Sequence, residues 1–253
     1  TDNRKIVAEI VKLRAELAKL MGYRTFAEYS LDDTMAKTPD AVRGLLNQVW
    51  SAAVKRVGEE REALWALARK EGGNYDLEAW DWRYLAEKER KSRYDLDEGE
   101  IRPYLQLENM IDAAFDTASR LFGLKFKELA DAPRYHPDVR VWEVTTKAGE
   151  PVGVFLGDYY ARPSKRSGAW MSSFRAQHKL GKGSKPVIVN VLNFARGAEG
   201  KPTLLSIDDA RTLFHEFGHG LHGLLSDVMY PSLSGTNVSR DFVELPSQLY
   251  EHW

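Results

Sequence analysis

Two histidines four positions apart, with a glutamate directly after the first, constrain this chain more than any other feature. The run is His215-Glu216-Phe217-Gly218-His219. On an α-helix, four residues turn the direction by about 400°, so the two imidazoles share a face about 6 Å apart along the axis and can bind one metal ion. Glu216, rotated by about 100°, would lie beside the ion, where its carboxylate can take a proton from a metal-bound water and pass it to a leaving amine. The run therefore predicts a helix that carries a zinc site and a general base.

A catalytic zinc ion usually has three protein ligands and an open fourth position, so a third ligand is needed. His222 lies on the same stripe, but about 10 Å of helix axis separates it from His215, which is too far for one ion unless the helix breaks. In a related zinc motif a third histidine follows the first by ten positions, but that position is Leu225 in this chain. The third ligand should therefore come from another element, and the next acidic candidates are Asp227, Asp241, Glu244 and Glu251.

Three of these acidic residues belong to a second helical pattern, DFVELPSQLYEHW, from Asp241 to Trp253. In one interpretation Asp241 is the N-cap of this helix and Glu244 is its capping-box partner. In the other interpretation a glutamate of this helix binds the metal. The spacing alone does not decide whether that ligand is Glu244 or Glu251. Asp241, Gln248 and Glu251 are candidates for orienting a ligand histidine by a hydrogen bond.

The pattern of apolar residues divides the chain into a helical segment, residues 1–130, and a mixed segment, residues 131–253. Thr25 with Glu28, and Thr38 followed by Pro39, are typical of helix starts in the first segment. In the second, alternating residues 139–146 and 151–160 predict a hairpin, and residues 186–194 predict a strand with Pro186 at an edge position. Ser206 with Asp209 is a capping box before the histidine helix. We therefore expect an α+β fold, mainly helical with a small sheet.

Composition excludes several classes of protein. With 36 Lys and Arg against 37 Asp and Glu among 253 residues, no excess charge points to a nucleic acid or an anionic membrane as partner. The chain has no cysteine, which excludes a disulfide scaffold and a thiol nucleophile. No apolar run approaches the length of a membrane span, and the first residues have no signal-peptide pattern, so we expect a cytoplasmic location.

Several segments together resemble a known family of enzymes. They are LFHEFGHGLHGLL, SLSGTNVSRDFVELPSQLYEHW, MAKTPDA, AWDWRYLAE, YDLDEGEIRPY, YHPDVRVWEV, GDYYARPSKRSGAWM and PVIVNVLNF. They are similar to the thimet oligopeptidase family of zinc metallopeptidases, and most to its bacterial peptidyl-dipeptidase branch. The resemblance implies a zincin-like fold with one Zn²⁺ per chain, in which His215, His219 and Glu244 are the ligands and Glu216 is the catalytic residue.

The resemblance also implies a larger enzyme. Family members extend beyond both ends of this sequence into a two-lobed molecule with a deep channel, and a later segment supplies tyrosines and a histidine that hold the substrate. We therefore expect the 253 residues to be the central fragment, with the remainder of the same enzyme as a partner and little activity by itself.

The substrates implied by the resemblance are short oligopeptides, from which the nearest branch releases C-terminal dipeptides. A peptide could bind as an extra strand beside residues 187–193, at Asn190 and Val191, although an ordinary internal strand explains this segment equally well. A substrate carboxylate requires a cation, and the candidates are Arg162, Lys165, Arg166 and Arg175. A broad endo-acting oligopeptidase and a non-catalytic, metal-stabilised module are the alternatives.

Overall fold

A computed structural model describes residues 2–94 and 98–253, which fall into two compact units, residues 1–97 and 98–253. The helices of the first unit are α1 (Arg4–Leu20), α2 (Phe26–Leu31), α3 (Pro39–Lys70) and α4 (Trp82–Tyr94). Those of the second are α5 (Glu98–Ile101), α6 (Leu107–Phe122), α7 (Ile207–Leu224) and α8 (Glu244–Tyr250). Its strands are β1 (Leu124–Glu128), β2 (Arg140–Thr146), β3 (Pro151–Tyr160), β4 (Trp170–Arg175) and β5 (Val187–Phe194). Residues 95–97, part of the segment YDLDEGEIRPY, lie outside the described residues.

Local capping signals define the helices of the first unit. The Thr25 hydroxyl accepts a hydrogen bond from the Glu28 amide at 3.2 Å and so begins α2. The Thr38 hydroxyl accepts one from the Ala41 amide, also at 3.2 Å, and Pro39 occupies the first position of α3. Both predicted helix starts are confirmed.

A five-stranded mixed sheet forms the centre of the second unit, in the order β1-β2-β3-β5-β4. The predicted hairpin of β2 and β3 is confirmed, and β5 runs parallel to β3 and antiparallel to β4. The edge position expected for Pro186 is wrong, because β5 lies inside the sheet. Pro186 precedes the strand, where its missing amide is not needed, and its carbonyl accepts a hydrogen bond from the Val154 amide at 3.0 Å.

One aromatic core joins α6 and α7 to the sheet. Phe217 of α7 packs edge-on against Phe155 of β3, with ring centroids 5.2 Å apart, and Phe115 of α6 contacts both rings. Phe155 is 1% exposed and Phe217 is 2% exposed, so α7 cannot shift along the sheet without disturbing this cluster. The sheet therefore fixes the position of the helix that carries the two histidines.

The expected fold class, α+β with a small sheet, is confirmed. The division at residue 130 stays a prediction, and the second compact unit already includes α6 and β1, because β1 pairs with β2. Among the described residues, no helix combines the length and the apolar character needed to cross a bilayer.

Candidate metal centre

The two histidines of the sequence motif share one face of α7. The helix begins at a complete capping box, in which Ser206 and Asp209 each accept a hydrogen bond from the other's backbone amide at 3.0 Å. It continues without interruption to Leu224, and the ring centroids of His215 and His219 are 4.9 Å apart. The helical placement predicted from their spacing is confirmed.

Glu244 completes a group of three possible metal ligands. Its Oε2 atom lies 3.2 Å from Nε2 of His215 and 3.1 Å from Nε2 of His219. All three ligand atoms lie within 4.8 Å of one another. Ligand atoms around a tetrahedral zinc ion, with bonds of about 2.0–2.1 Å, are about 3.3 Å apart, so this set of two imidazoles and one carboxylate fits zinc.

The third residue reaches the histidines because a glycine lets α8 approach α7. A Cβ atom at Gly218 would lie 2.7 Å from Cα of Ser247 and 3.0 Å from the Pro246 carbonyl oxygen. Ser247 is fully buried at this contact, and its hydroxyl donates a hydrogen bond to Oε2 of Glu244 at 2.9 Å. Gly218 and Ser247 are thus two residues that the sequence interpretation did not assign to the site. Two features of the sequence could have indicated them: the small residue Gly218 lies inside the histidine motif, and the hydroxyl of Ser247 lies three positions after Glu244.

The start of α8 differs from one of the two interpretations. The helix begins at Glu244 and its N-cap residue is Val243, with no side-chain cap. The capping box of Asp241 and Glu244 is therefore wrong, because the Glu244 carboxylate faces the histidines of α7 instead of its own backbone. Asp241 lies in the turn before α8, and its role in orienting a histidine stays a prediction.

Glu251 orients one of the histidines. Its Oε1 atom lies 2.7 Å from Nδ1 of His215, and its Oε2 atom lies 3.1 Å from Arg211. The hydrogen bond with His215 holds the pKa of the Glu251 carboxyl below its usual value. A carboxylate on Nδ1 leaves Nε2 directed towards Glu244, the arrangement typical of a metal-binding histidine. Gln248 is exposed, and its predicted role in orienting a histidine stays a prediction.

Glu216 is a buried carboxyl at the edge of this group. It is 6% exposed, and no described group makes a hydrogen bond with its Oε2 atom. Burial raises the pKa of this carboxyl to about 7; the proximity of His215 opposes the shift, and that of Glu244 adds to it. Together with His215 it lines a cavity of about 390 Å³, whose other lining residues are Ala169, Asp208, Arg211, Thr212 and Glu251.

The strand expected to bind a peptide has no free edge. β5 is paired with β3 on one side and β4 on the other, so a peptide cannot be added beside it. Asn190 is 2% exposed, and its side-chain amide donates a hydrogen bond to the Glu216 carbonyl at 2.6 Å. Val191 is 7% exposed. The assignment of these two residues to a peptide edge is therefore wrong, and Asn190 instead joins the sheet to α7.

Arg162 has a structural partner. Its two terminal nitrogens each donate to one oxygen of Asp158 at 2.7 Å, so it is not available for a substrate carboxylate, and its predicted role is wrong. Lys165 is also buried, with its ammonium group bound to Asp158 and three backbone carbonyls. Arg166 is exposed, with its guanidinium 4.5 Å from the centroid of the Trp170 ring, and its substrate-binding role stays a prediction.

Known peptidases are similar to this chain over its whole length. The family model described as Peptidase family M3 matches residues 1–253. Dipeptidyl carboxypeptidases from Escherichia coli and Salmonella typhimurium are 46% and 45% identical to the chain over 253 residues, and each alignment covers all of this chain and 37% of the relative. Oligopeptidase A from Escherichia coli is 39% identical over 255 residues, which cover 38% of that protein. The chain therefore spans less than two-fifths of the length of these relatives.

Replacing Gly218 by alanine should push α8 away from α7. The added methyl group would overlap the backbone at Ser247 and Pro246, so we expect a loss of about 1–3 kcal/mol in the free energy of unfolding, measured by urea denaturation. Gly58→Ala is the matched control, because the same change in open space on α3 should add about 0.5–1 kcal/mol. A Gly218→Ala protein as stable as the wild type would contradict the close approach of the two helices.

Proposed function

We propose that this chain, which belongs to peptidase family M3, forms the zinc centre of an enzyme that hydrolyses peptide bonds in short oligopeptides. The observation that carries the proposal is the convergence of two imidazoles and one carboxylate beside a second, buried carboxyl that has no hydrogen-bond partner among the described residues on one of its oxygens. A purely structural zinc site usually has four protein ligands, whereas three ligands with an open fourth position are typical of a catalytic site, and a carboxyl outside the ligand group can then act as a base. Glu216 therefore favours catalysis over a non-catalytic, metal-stabilised module.

The metal would be held by His215, His219 and Glu244. When bound, zinc supplies Lewis-acid chemistry, polarising a carbonyl and making a water molecule more acidic. Glu251 keeps the His215 ring in the orientation that directs Nε2 to the site, and Ser247 does the same for the Glu244 carboxylate. The three ligands are thus positioned before any ion arrives, which reduces the ordering cost of binding.

Glu216 would move the proton. Its carboxylate accepts a proton from the attacking water and then donates it to the amide nitrogen that leaves. Burial keeps this carboxyl out of bulk water, so the pKa at which it exchanges its proton is close to neutral in the structure described. The hydrogen bond from Asn190 to the Glu216 backbone fixes the residue on its helix.

The peptide would bind to β4 and not to β5. Within the described residues β4 is an outer strand, with β5 on one side only, and Ala169 next to its first residue lines the cavity that contains Glu216. Pairing with the free edge of β4 would hold the peptide by its main chain, which gives affinity with little sequence preference.

We further propose that the enzyme releases dipeptides from the C-terminus of its substrates. It is supported by the greater identity to the relatives named dipeptidyl carboxypeptidase, 46% and 45%, than to oligopeptidase A, 39%. A broad endo-acting oligopeptidase is the second candidate, since relatives of that name also match the whole chain.

Zinc binding should depend on three residues and not on a fourth. His215→Ala, His219→Ala and Glu244→Gln should each weaken zinc binding by more than about 100-fold, because each removes one of three ligands. His222→Ala is the matched control: it lies on the same helix outside the ligand group, so zinc binding should be unchanged. Competition with a chromogenic chelator gives the affinities, and equal losses in all four variants would contradict the assignment.

Glu216→Gln should separate catalysis from metal binding. The amide keeps the size of the side chain but cannot accept the proton, so we expect zinc content to be retained and kcat to fall by about 10²–10⁴-fold. The control is Glu199→Gln in an exposed loop, which should change neither quantity. Undiminished hydrolysis by the Glu216→Gln variant would contradict the assignment of Glu216 as general base and would require another group to accept the proton.

The products should show where the enzyme cuts. Peptides with an acetylated N-terminus should be cleaved with release of dipeptides, whereas peptides with an amidated C-terminus should be poor substrates. Mass spectrometry of the fragments at early times gives the cleavage positions. Internal cuts at equal rates in both sets would favour the endo-acting oligopeptidase.

A further inference from the structure

Arg211 is a cation in the same cavity as the proposed general base. It lies four residues before His215 on α7, which places it one turn earlier on the same face, about 6 Å along the axis. Both Arg211 and Glu216 line the cavity of about 390 Å³. A peptide that reaches Glu216 therefore comes within reach of Arg211.

Most of the hydrogen-bonding capacity of Arg211 is unused. Among the described residues its guanidinium makes one hydrogen bond, from a terminal nitrogen to Oε2 of Glu251 at 3.1 Å, and its side chain is 60% exposed. A guanidinium has five N–H donors, arranged to match a carboxylate in pairs. The other oxygen of Glu251 already contacts His215, so Glu251 cannot satisfy the remaining donors.

The electrostatics of the helix do not explain a cation at this place. Arg211 is the fifth residue of α7, close to the end where the helix dipole favours negative charge, and Asp208 and Asp209 already supply that charge in the first turn. Asp208 is exposed and belongs to the helix start, while Glu216 is buried. Among the described residues the guanidinium pairs with Glu251 alone, so its other donors are available to an anion that enters the cavity.

We propose that Arg211 is a specificity-determining residue that binds a carboxylate of the peptide substrate. The inference rests on the proposed peptidase function and adds the chemistry of the preferred substrate. The carboxylate could come from the C-terminus of the peptide or from an Asp or Glu side chain near the cleaved bond, because the guanidinium recognises both in the same way. Arg211 binds the substrate and takes no part in proton transfer.

The test uses the full-length gene product, an Arg211→Met variant and four peptides of one length. The peptides have either Glu or Gln next to the cleaved bond and either a free or an amidated C-terminus. In the wild type the peptides with the recognised carboxylate should be preferred by about tenfold over their neutral counterparts. In Arg211→Met this preference should disappear through an increase in KM for the preferred peptides, with kcat unchanged.

Two further variants separate recognition from structure. Arg211→Lys keeps the charge and should retain part of the preference, and Arg120→Met removes an exposed arginine of α6 that also has one carboxylate partner, so it should change nothing. If Arg211 only supported Glu251 and His215, Arg211→Met would slow all four peptides equally and lower the zinc content. That result would overturn the proposal. If Arg211→Met loses the preference for a free over an amidated C-terminus, the carboxylate is that of the C-terminus. If it loses the preference for Glu over Gln, the carboxylate is that of the side chain.

Peptide binding measured by calorimetry distinguishes failure of the inference from failure of the peptidase proposal. In one outcome the protein binds the carboxylate peptides about tenfold more tightly than the neutral ones through Arg211 but hydrolyses none of them. This result would support the carboxylate site and refute the peptidase proposal. A protein that hydrolyses all four peptides at equal rates, with or without Arg211, would refute the role of Arg211 alone.

Discussion

The close packing of α8 on α7 is the contact on which the proposed site depends. Glu244 is the first residue of α8, and it meets the histidines of α7 only because Gly218 has no side chain between the two helices. The buried Ser247 at this contact also donates to the Glu244 carboxylate, so the residue that packs the helices together also orients a proposed ligand. Packing and metal chemistry are therefore coupled at one point of the fold.

The sheet fixes the other side of the site. The aromatic contact of Phe217 with Phe155 and the hydrogen bond from Asn190 to the Glu216 carbonyl hold α7 on the sheet, and Glu216 lines a cavity beside it. Rigid support of this kind suits a general base, because a proton acceptor must stay within hydrogen-bond distance of the reacting atoms. The same helix presents two of the three proposed ligands, the proposed base and the cation Arg211 along about two turns.

Local features were predictable from the sequence, and pairings between distant segments were not. The position of the two histidines follows from helix geometry, and the capping residues Thr25, Thr38 and Ser206 mark helix starts by hydrogen bonds within a few residues. Which strands lie beside β5 depends on the whole sheet, so the sequence alone does not show that the strand carrying Asn190 has a neighbour on both sides. The charge of Arg162 is visible in the sequence, but its pairing with Asp158 is not, so the sequence does not show that this arginine already has a partner. The choice between Glu244 and Glu251 required the resemblance to a family, since spacing allows either residue.

The most direct test of the account is the position and coordination of the metal in crystals of the zinc-loaded protein. Anomalous diffraction at the zinc absorption edge should show one peak bound by Nε2 of His215, Nε2 of His219 and a carboxylate oxygen of Glu244, with distances of about 2.0–2.2 Å. A peak elsewhere, or no peak with these three side chains turned away from one another, would contradict the central claim.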